Sequence, residues 1–264
     1  MKSCFSTLGC TDRTLPEILA LAVKYRISSL EFRGIASVLG VTEIPEFSDR
    51  EIDGTASMIS SAGLKTAVIG TSCAFHDAVG DKLANVINEG TTAVGIAHRL
   101  HAPFIRVFGN RIRGPESISR AIDGIRTISR AADSDVSVLL EVHGDFNTAE
   151  ALSPVCDALA GEKFGLIWDI CHTDSVYGDA FEPFYRRFSD VIRHIHVKDV
   201  KRGGALCLPG DGDIPIVPIL SLLSSEGFDG CVSLEWEKKW HPELPEIEEG
   251  LDAYFKVCGS FLKP

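Results

Sequence analysis

The sequence predicts a single (β/α)8 barrel, and three observations carry that prediction. Short β-branched or apolar runs alternate with longer amphipathic stretches, which is the pattern of repeated βα units around a parallel sheet. About eight such units can be read, and the 264 residues allot each about 33, close to the roughly 30 that a strand, a helix and two loops occupy. No linker, low-complexity run or composition break divides the chain, so residues 1–264 are expected to form one domain. In order, the strand candidates are CFSTLG, SSLEFRG, KTAVIGTS, FIRVFGN, SVLLEVHG, FGLIWDI, IRHIHVKD and CVSLEWE. Among the helices, Thr14 to Glu17 reads as a capping box opening LPEILALAVKYR, and Pro115 to Ala132 carries apolar residues at helical spacing. The tail from about Pro245 to Phe261 is a candidate last helix. An open doubly wound sheet is the competing arrangement.

Composition narrows the classes of function. With 45% hydrophobic and 24% charged residues the chain reads as an ordinary globular protein, long enough for one large core. A formal net charge of -11 argues against a nucleic-acid partner, whose phosphates are met by clustered Lys and Arg, and favours a small-molecule substrate. No apolar run approaches the roughly 18 residues needed to span a bilayer, and MKSCFSTLGC lacks a secretory apolar stretch, so no membrane contact and a cytoplasmic location are expected. The eight cysteines are scattered, with no Cys-x-x-Cys pair, and read as reduced thiols.

In a barrel of this type the chemistry collects at the carboxyl ends of the strands, and inward residues follow a period of two. On that rule Leu139, Glu141 and His143 share a face, as do Ile167 and Asp169, then His194, His196 and Lys198, then Ser233, Glu235 and Glu237. Four consecutive strands thus deliver a carboxylate or imidazole late in the strand. Glu141, Asp169, His196 and Glu235 would crowd three carboxylates and one imidazole into one barrel mouth, where mutual repulsion demands a cation. One divalent metal ion resolves the conflict. An oxygen-rich set with one nitrogen suits Mn2+ or Mg2+, and also accommodates Co2+ or Zn2+.

Neighbouring residues carry weaker signals. His143 and His172 sit just past the carboxylates and are candidates to bind substrate or to orient a ligand. Glu31 and Arg33 share the inward face of the second strand and could hold substrate hydroxyls or pair with each other; Lys198 could touch substrate or pair with Glu235. His194 lies deeper and reads as a packed core imidazole. PGDGDIP reads as a turn feeding the next helix, because its two aspartates would repel a phosphate. Trp236 and Trp240 are candidates for a pocket wall or a subunit interface, so a homo-oligomer is an open expectation. Cys171, beside His172, reads as packing rather than as a nucleophile.

Glu141 together with WDICH, HIHVKD and LEWE resembles the xylose-isomerase-like TIM-barrel superfamily of sugar-phosphate isomerases, ketose epimerases, inosose dehydratases and apurinic endonucleases. The likeness covers nearly the whole chain, extending to STLGC, LEFR and PGDGDIP. It implies metal ligation by Glu141, Asp169, His196 and Glu235, substrate contact by His172, and a substrate-binding arginine at Arg202. It also implies a catalytic pair, Glu141 and Glu235, one removing and one returning a proton beside a carbonyl, in an isomerase or epimerase acting on a small sugar, sugar phosphate or sugar-derived ketone. A dehydratase of a cyclic polyol ketone, of inosose or dehydroshikimate type, uses the same apparatus and is the nearest alternative. A silent sugar-binding protein is a third. The endonuclease branch is disfavoured: FIRVFGN and KRGGALCLPGDGD carry no histidine, and His76 is the one candidate for an extra ligand.

Overall fold

The structure, a computed structural model, describes residues 1–131 and 135–263. The strands are β1 (Lys2–Ser6), β2 (Ser29–Phe32), β3 (Lys65–Ala74), β4 (Phe104–Asn110), β5 (Ser137–Gly144), β6 (Phe164–Asp169), β7 (Ile192–Val197), β8 (Asp199–Val200), β9 (Leu206–Cys207) and β10 (Cys231–Leu234). All but β8 and β9 pair side by side in parallel and close into a barrel in the order β1-β10-β7-β6-β5-β4-β3-β2. The predicted (β/α)8 barrel is therefore the architecture, and the open sheet is excluded. The helices α1 (Leu15–Lys24), α2 (Ile52–Ser61), α3 (Asp81–Arg99), α4 (Pro115–Arg130) and α5 (Ala149–Ala158) each follow one of the first five strands. The pair α6 (Ile170–Tyr177) and α7 (Glu182–Phe188) follows β6, α8 (Ile216–Ser225) follows the small antiparallel ribbon β8–β9, and α9 (Ile247–Cys258) follows β10. Among the described residues no helix is long and apolar enough to cross a membrane.

Local chemistry sets the boundaries. Glu17 reaches back to the Thr14 backbone N–H at 2.8 Å, the capping contact expected at the start of α1. Two predicted helices are shorter than expected: α9 starts at Ile247 and gives way to a 3-10 turn at Gly259–Phe261, and the predicted last residue of α4, Ala132, lies outside the described residues. Several strands also stop early. β10 ends at Leu234 and β7 at Val197, so Glu235 and Lys198 stand just beyond the ladder, at the lip of the barrel. The PGDGDIP segment is a turn, as expected. The buried Asp199 carboxylate accepts from the backbone N–H groups of Val200, Gly210, Gly212 and Ile214 and so folds it in place. A Cβ at Gly212 would collide with that carboxylate. All eight cysteines are free.

Alternation along the strands sorts the core into two layers. Outward residues such as Phe5, Leu30, Val107, Leu140, Trp168 and Val232 pack under the helices in one large apolar layer. Inside the barrel, Cys4, Ala67, Val68, Leu139 and Ile167 form a small second apolar cluster, with Phe104 and Cys231 packed against it. Burying a Val, Leu, Ile or Phe contributes about 1.5–3 kcal/mol each, so the outer layer carries the stability and tolerates a polar interior above the small cluster. Trp236 belongs to the outer layer. It is buried, its indole N–H donates to Pro245 O at 3.0 Å, and it packs so closely on Gly9 that a Cβ there would lie 2.9 Å from the Trp236 Cβ. It is therefore not a wall of the pocket.

The polar interior is organised by Glu31. One carboxylate oxygen, Oε2, accepts from His194 Nε2 at 3.1 Å, His196 Nε2 at 2.9 Å and Ser233 Oγ at 3.2 Å. Burial opposes its charge, but His196 and His194 together hold it well below the usual carboxylate range. The expectation that Glu31 binds substrate is corrected: it is buried one layer below the mouth and its accepting oxygen is committed to β7 and β10. Nor does it pair with Arg33, whose guanidinium donates to Leu39 O and Ser72 Oγ. His194 is the packed imidazole that was expected.

Removing one partner from a buried charged cluster costs about 3–5 kcal/mol. Glu31→Gln is expected to lower the denaturation free energy of metal-free protein by about 3 kcal/mol near neutral pH, read from urea titration. Because folding lowers the Glu31 pKa, its contribution is present above the ordinary value of 4.5 and is lost as pH falls below it. The gap between the two proteins must therefore narrow in acid; a gap that is absent at pH 7, or that widens in acid, contradicts the role of this hub.

Candidate active site

The WDICH motif illustrates how the fold aims a ligand. Asp169 ends β6 and is the N-cap of α6; its Oδ1 accepts from the backbone N–H of Cys171 at 2.9 Å and of His172 at 3.2 Å. With Oδ1 held by the helix start, Oδ2 is turned into the barrel mouth, where it is buried 2.8 Å from the Lys198 ammonium. Three residues after the cap, the helix carries His172 to the rim, with Nε2 3.9 Å from Asp169 Oδ2.

His196 is aimed by the hub beneath it. A carboxylate can only accept, so the His196 Nε2 facing Glu31 carries a proton, and Nδ1 is the nitrogen left for the mouth. That Nδ1 is buried without a hydrogen-bond partner, 3.6 Å from Glu235 Oε1 and 3.9 Å from Glu141 Oε2. One oxygen or nitrogen from each of Glu141, Asp169, His196 and Glu235 lies within 4.8 Å of the others. The structure thus brings together all four residues expected to ligate a metal. The unpartnered, buried His196 Nδ1 and the hard, oxygen-rich donor set around it fit a divalent ion.

Two cationic side chains share the charge of these carboxylates. Lys198, expected to touch substrate or to pair with Glu235, lines the mouth and makes that pairing, its Nζ 2.8 Å from Asp169 Oδ2, 2.7 Å from Glu235 Oε2 and 2.6 Å from Glu237 Oε1. It projects inward just past the end of β7, where three acidic side chains converge on it. Burial opposes the ammonium charge, but Asp169, Glu235 and Glu237 raise its pKa well above the ordinary value. The second cation, Arg106, was not anticipated. It donates from Nη1 to Glu141 Oε2 at 2.7 Å and from Nη2 to Thr71 O at 3.2 Å, with its guanidinium 4.0 Å from the centroid of the Phe108 ring. The signal was present in FIRVFGN: Phe104, Arg106 and Phe108 alternate along β4, and a buried arginine on an inward face needs a carboxylate.

The environments of the two candidate catalytic carboxylates diverge. Burial raises Glu141, and Glu235 adds to the rise against the opposing pull of Arg106. Burial also opposes ionisation of Glu235, but Lys198 and His196 prevail and lower it. For Asp169 the balance of burial against Lys198, His172 and His196 leaves it well below the carboxylate range. On His196, burial is overcome by Glu31 and then by Glu235 and Glu141, which push the pKa up to about 10.

A cavity of about 260 Å³ opens on this cluster, walled by Arg33, Arg106, Phe108, Glu141, His143, Lys198, Glu235 and Trp240 among others. Trp240, 53% exposed, stands at its rim. His143 faces it as a neutral ring, since burial and then His172 and Lys198 push its pKa down to about 4. His172 packs edge-on to His143, centroid to centroid 4.2 Å, so both imidazoles are brought to the mouth as expected. Arg202 is not: its side chain is 94% exposed in the loop after β8, held only near Asp213. The ribbon β8–β9 turns that loop outward, and the arginine expected to bind substrate lies outside the site. His76 lies near Asn110 and Asp77 and joins no metal-ligating group among the described residues. Burial pushes the Cys171 thiol up to about 12, in keeping with a packing role.

Comparison with known proteins agrees with this geometry. Residues 25–257 match the family model of the xylose isomerase-like TIM barrel. Inosose dehydratase of Clostridium perfringens is 23% identical over 185 residues, which cover 62% of this chain and 60% of the relative, so the match spans about three fifths of that protein's length. Among solved structures, an IolI protein with a bound zinc atom superposes with a TM-score of 0.81 at 20% identity, each chain fully covered. A D-psicose 3-epimerase with D-tagatose from Clostridium cellulolyticum H10 gives 0.79 at 17% identity, again over both whole chains. With a closed parallel barrel and four potential metal ligands at its carboxyl end, the chain belongs to the xylose isomerase-like TIM-barrel family.

Proposed function

We propose that the protein is a metal-dependent isomerase or epimerase acting on a small sugar or sugar-derived ketone by proton transfer beside a carbonyl. The observation that carries this reading is the convergence of Glu141 and Glu235 with Asp169 and His196 around a point from which the small cavity opens. Glu141, Asp169, His196 and Glu235 would hold one divalent ion, Mn2+ fitting the donor set best. Such an ion, when bound, polarises a substrate oxygen and so acidifies the neighbouring C–H.

The remaining work falls to the chain's own side chains. Glu235, kept ionised by Lys198, takes the proton from carbon; Glu141, raised by burial, returns one to the other face. Arg106 fixes the Glu141 carboxylate through its 2.7 Å contact, so the acid does not swing. His143 and His172 offer ring nitrogens to substrate hydroxyls at the rim, and Trp240 gives an apolar edge against which a sugar ring or chain can rest. The modest cavity suits a monosaccharide-sized ligand.

A second reading is favoured by a specific finding, the likeness to inosose dehydratase. In a dehydratase of a cyclic polyol ketone Glu235 takes the same proton, and an acid such as Glu141 protonates a departing hydroxyl in place of the carbon.

Incubating metal-replete enzyme in deuterium oxide with a panel of ketoses and inososes separates the two. Deuterium entering carbon with substrate mass otherwise conserved is the expected result; loss of water identifies the dehydratase, and neither on any member of the panel contradicts both. Glu235→Gln is expected to lower turnover at least about 100-fold, the usual scale of general acid–base catalysis, while Lys198 keeps Asp169 and Glu237 as partners and the fold stands. Glu141→Gln should lose as much activity and also melt earlier, because Arg106 is left buried beside a neutral amide. Near-normal rates in either variant remove that residue from the catalytic pair.

A further inference from the structure

A second cavity, larger than the one at the metal ligands, lies elsewhere in the molecule. It measures about 740 Å³ and lies at the opposite, amino-terminal end of the barrel strands, between the starts of β2, β3, β4, β7 and β10 and the carboxyl end of α2. That volume is within the roughly 300–1,000 Å³ typical of small-molecule sites. Its walls include Ile59, Leu64 and Phe104. Its rim carries the exposed Lys2, Lys65 and Arg193, none of which has a carboxylate within ion-pair distance among the described residues. Asp229 is the one acidic side chain on the lining. In a chain of net charge -11, three permanent cations around a single opening form a local reversal of sign.

The lining is also chemically specific. His194 is fully buried and lines the cavity, with Nε2 bound to Glu31. Its Nδ1 finds no oxygen or nitrogen partner and faces the thiol of Cys231, which also lines the cavity. The imidazole and the thiol, turned toward each other, form the inner end of the cavity, below the three cations of its rim. We infer that this amino-terminal cavity is a second binding site, for a small organic anion with an apolar body, whose acidic head meets Lys2, Lys65 and Arg193 while its body lies on Phe104 and reaches toward Cys231 and His194. The site is separate from the proposed catalytic chemistry and stands whichever reaction the carboxyl end performs.

Cys231 provides a local reporter. The Cys4 thiol, against the opposition of burial, and then His194 bring its pKa down to about 4, which favours its alkylation. The test is native-state labelling of the full-length protein with iodoacetamide, in which sulfur displaces iodide, with Cys231 followed by peptide mass spectrometry. Octanoate is expected to slow labelling of Cys231 saturably and at least tenfold, and octyl phosphate is the arm that decides whether the head is carboxylate or phosphate. Neutral 1-octanol should need at least tenfold more ligand for the same protection. Lys65→Glu combined with Arg193→Glu, both at exposed positions, should raise the half-effect concentration of the anions at least tenfold with an unchanged melting curve. If charge reversal perturbs folding, the single Lys65→Gln variant replaces it, with a severalfold weakening expected. Failure of Cys231 to label in the free protein, absence of protection by both anions, protection by octanol equal to that by octanoate, or protection indifferent to the charge changes would each overturn the assignment.

Discussion

The site depends on one electrostatic constraint: three buried carboxylates, Glu141, Asp169 and Glu235, are held close together at the end of a barrel that gives them little water. Left alone they would protonate or force the mouth apart. The chain answers with cations placed by neighbouring strands, Arg106 from β4 against Glu141 and Lys198, just past β7, against Asp169 and Glu235. Between those contacts, His196 Nδ1 still has no hydrogen-bond partner, and a divalent ion seated there would meet that demand and take over from Lys198 at Asp169.

Support for this arrangement comes from below and from outside. Glu31 fixes His196 from beneath, so the nitrogen facing the mouth is set by a hydrogen bond one layer down. The start of α6 fixes Asp169 by occupying its other oxygen. The apolar layer between strands and helices anchors both, because a shift of Trp168 or Val197 by one residue would turn the alternating inward side chains away. The same polar axis runs down the barrel from His196 through Glu31 to His194 and ends at the amino-terminal cavity.

Much of this was legible in the sequence because it depends on period and spacing. The alternation of Leu139, Glu141 and His143 and of His194, His196 and Lys198 along their strands identified the inward face, and the barrel followed from the count of βα units. What escaped were pairings between strands distant in sequence. Arg106 meets Glu141 across 35 residues and Glu31 meets His194 across 163, and period alone does not say which inward charges will be neighbours. Depth was also hidden: β2 places Glu31 under the mouth, while β7 ends early enough for Lys198 to reach into it. Arg202 was misplaced for a related reason, since the two-residue strands β8 and β9 turn its loop outward and two residues are too few to leave a periodic signature.

The most direct test of the central claim is an anomalous-difference map from crystals of this protein equilibrated with Mn2+. A single strong peak among Glu141, Asp169, His196 and Glu235, with the Lys198 ammonium displaced from Asp169, is the predicted result. A map with no peak there, with Lys198 still seated between Asp169 and Glu235, would contradict it.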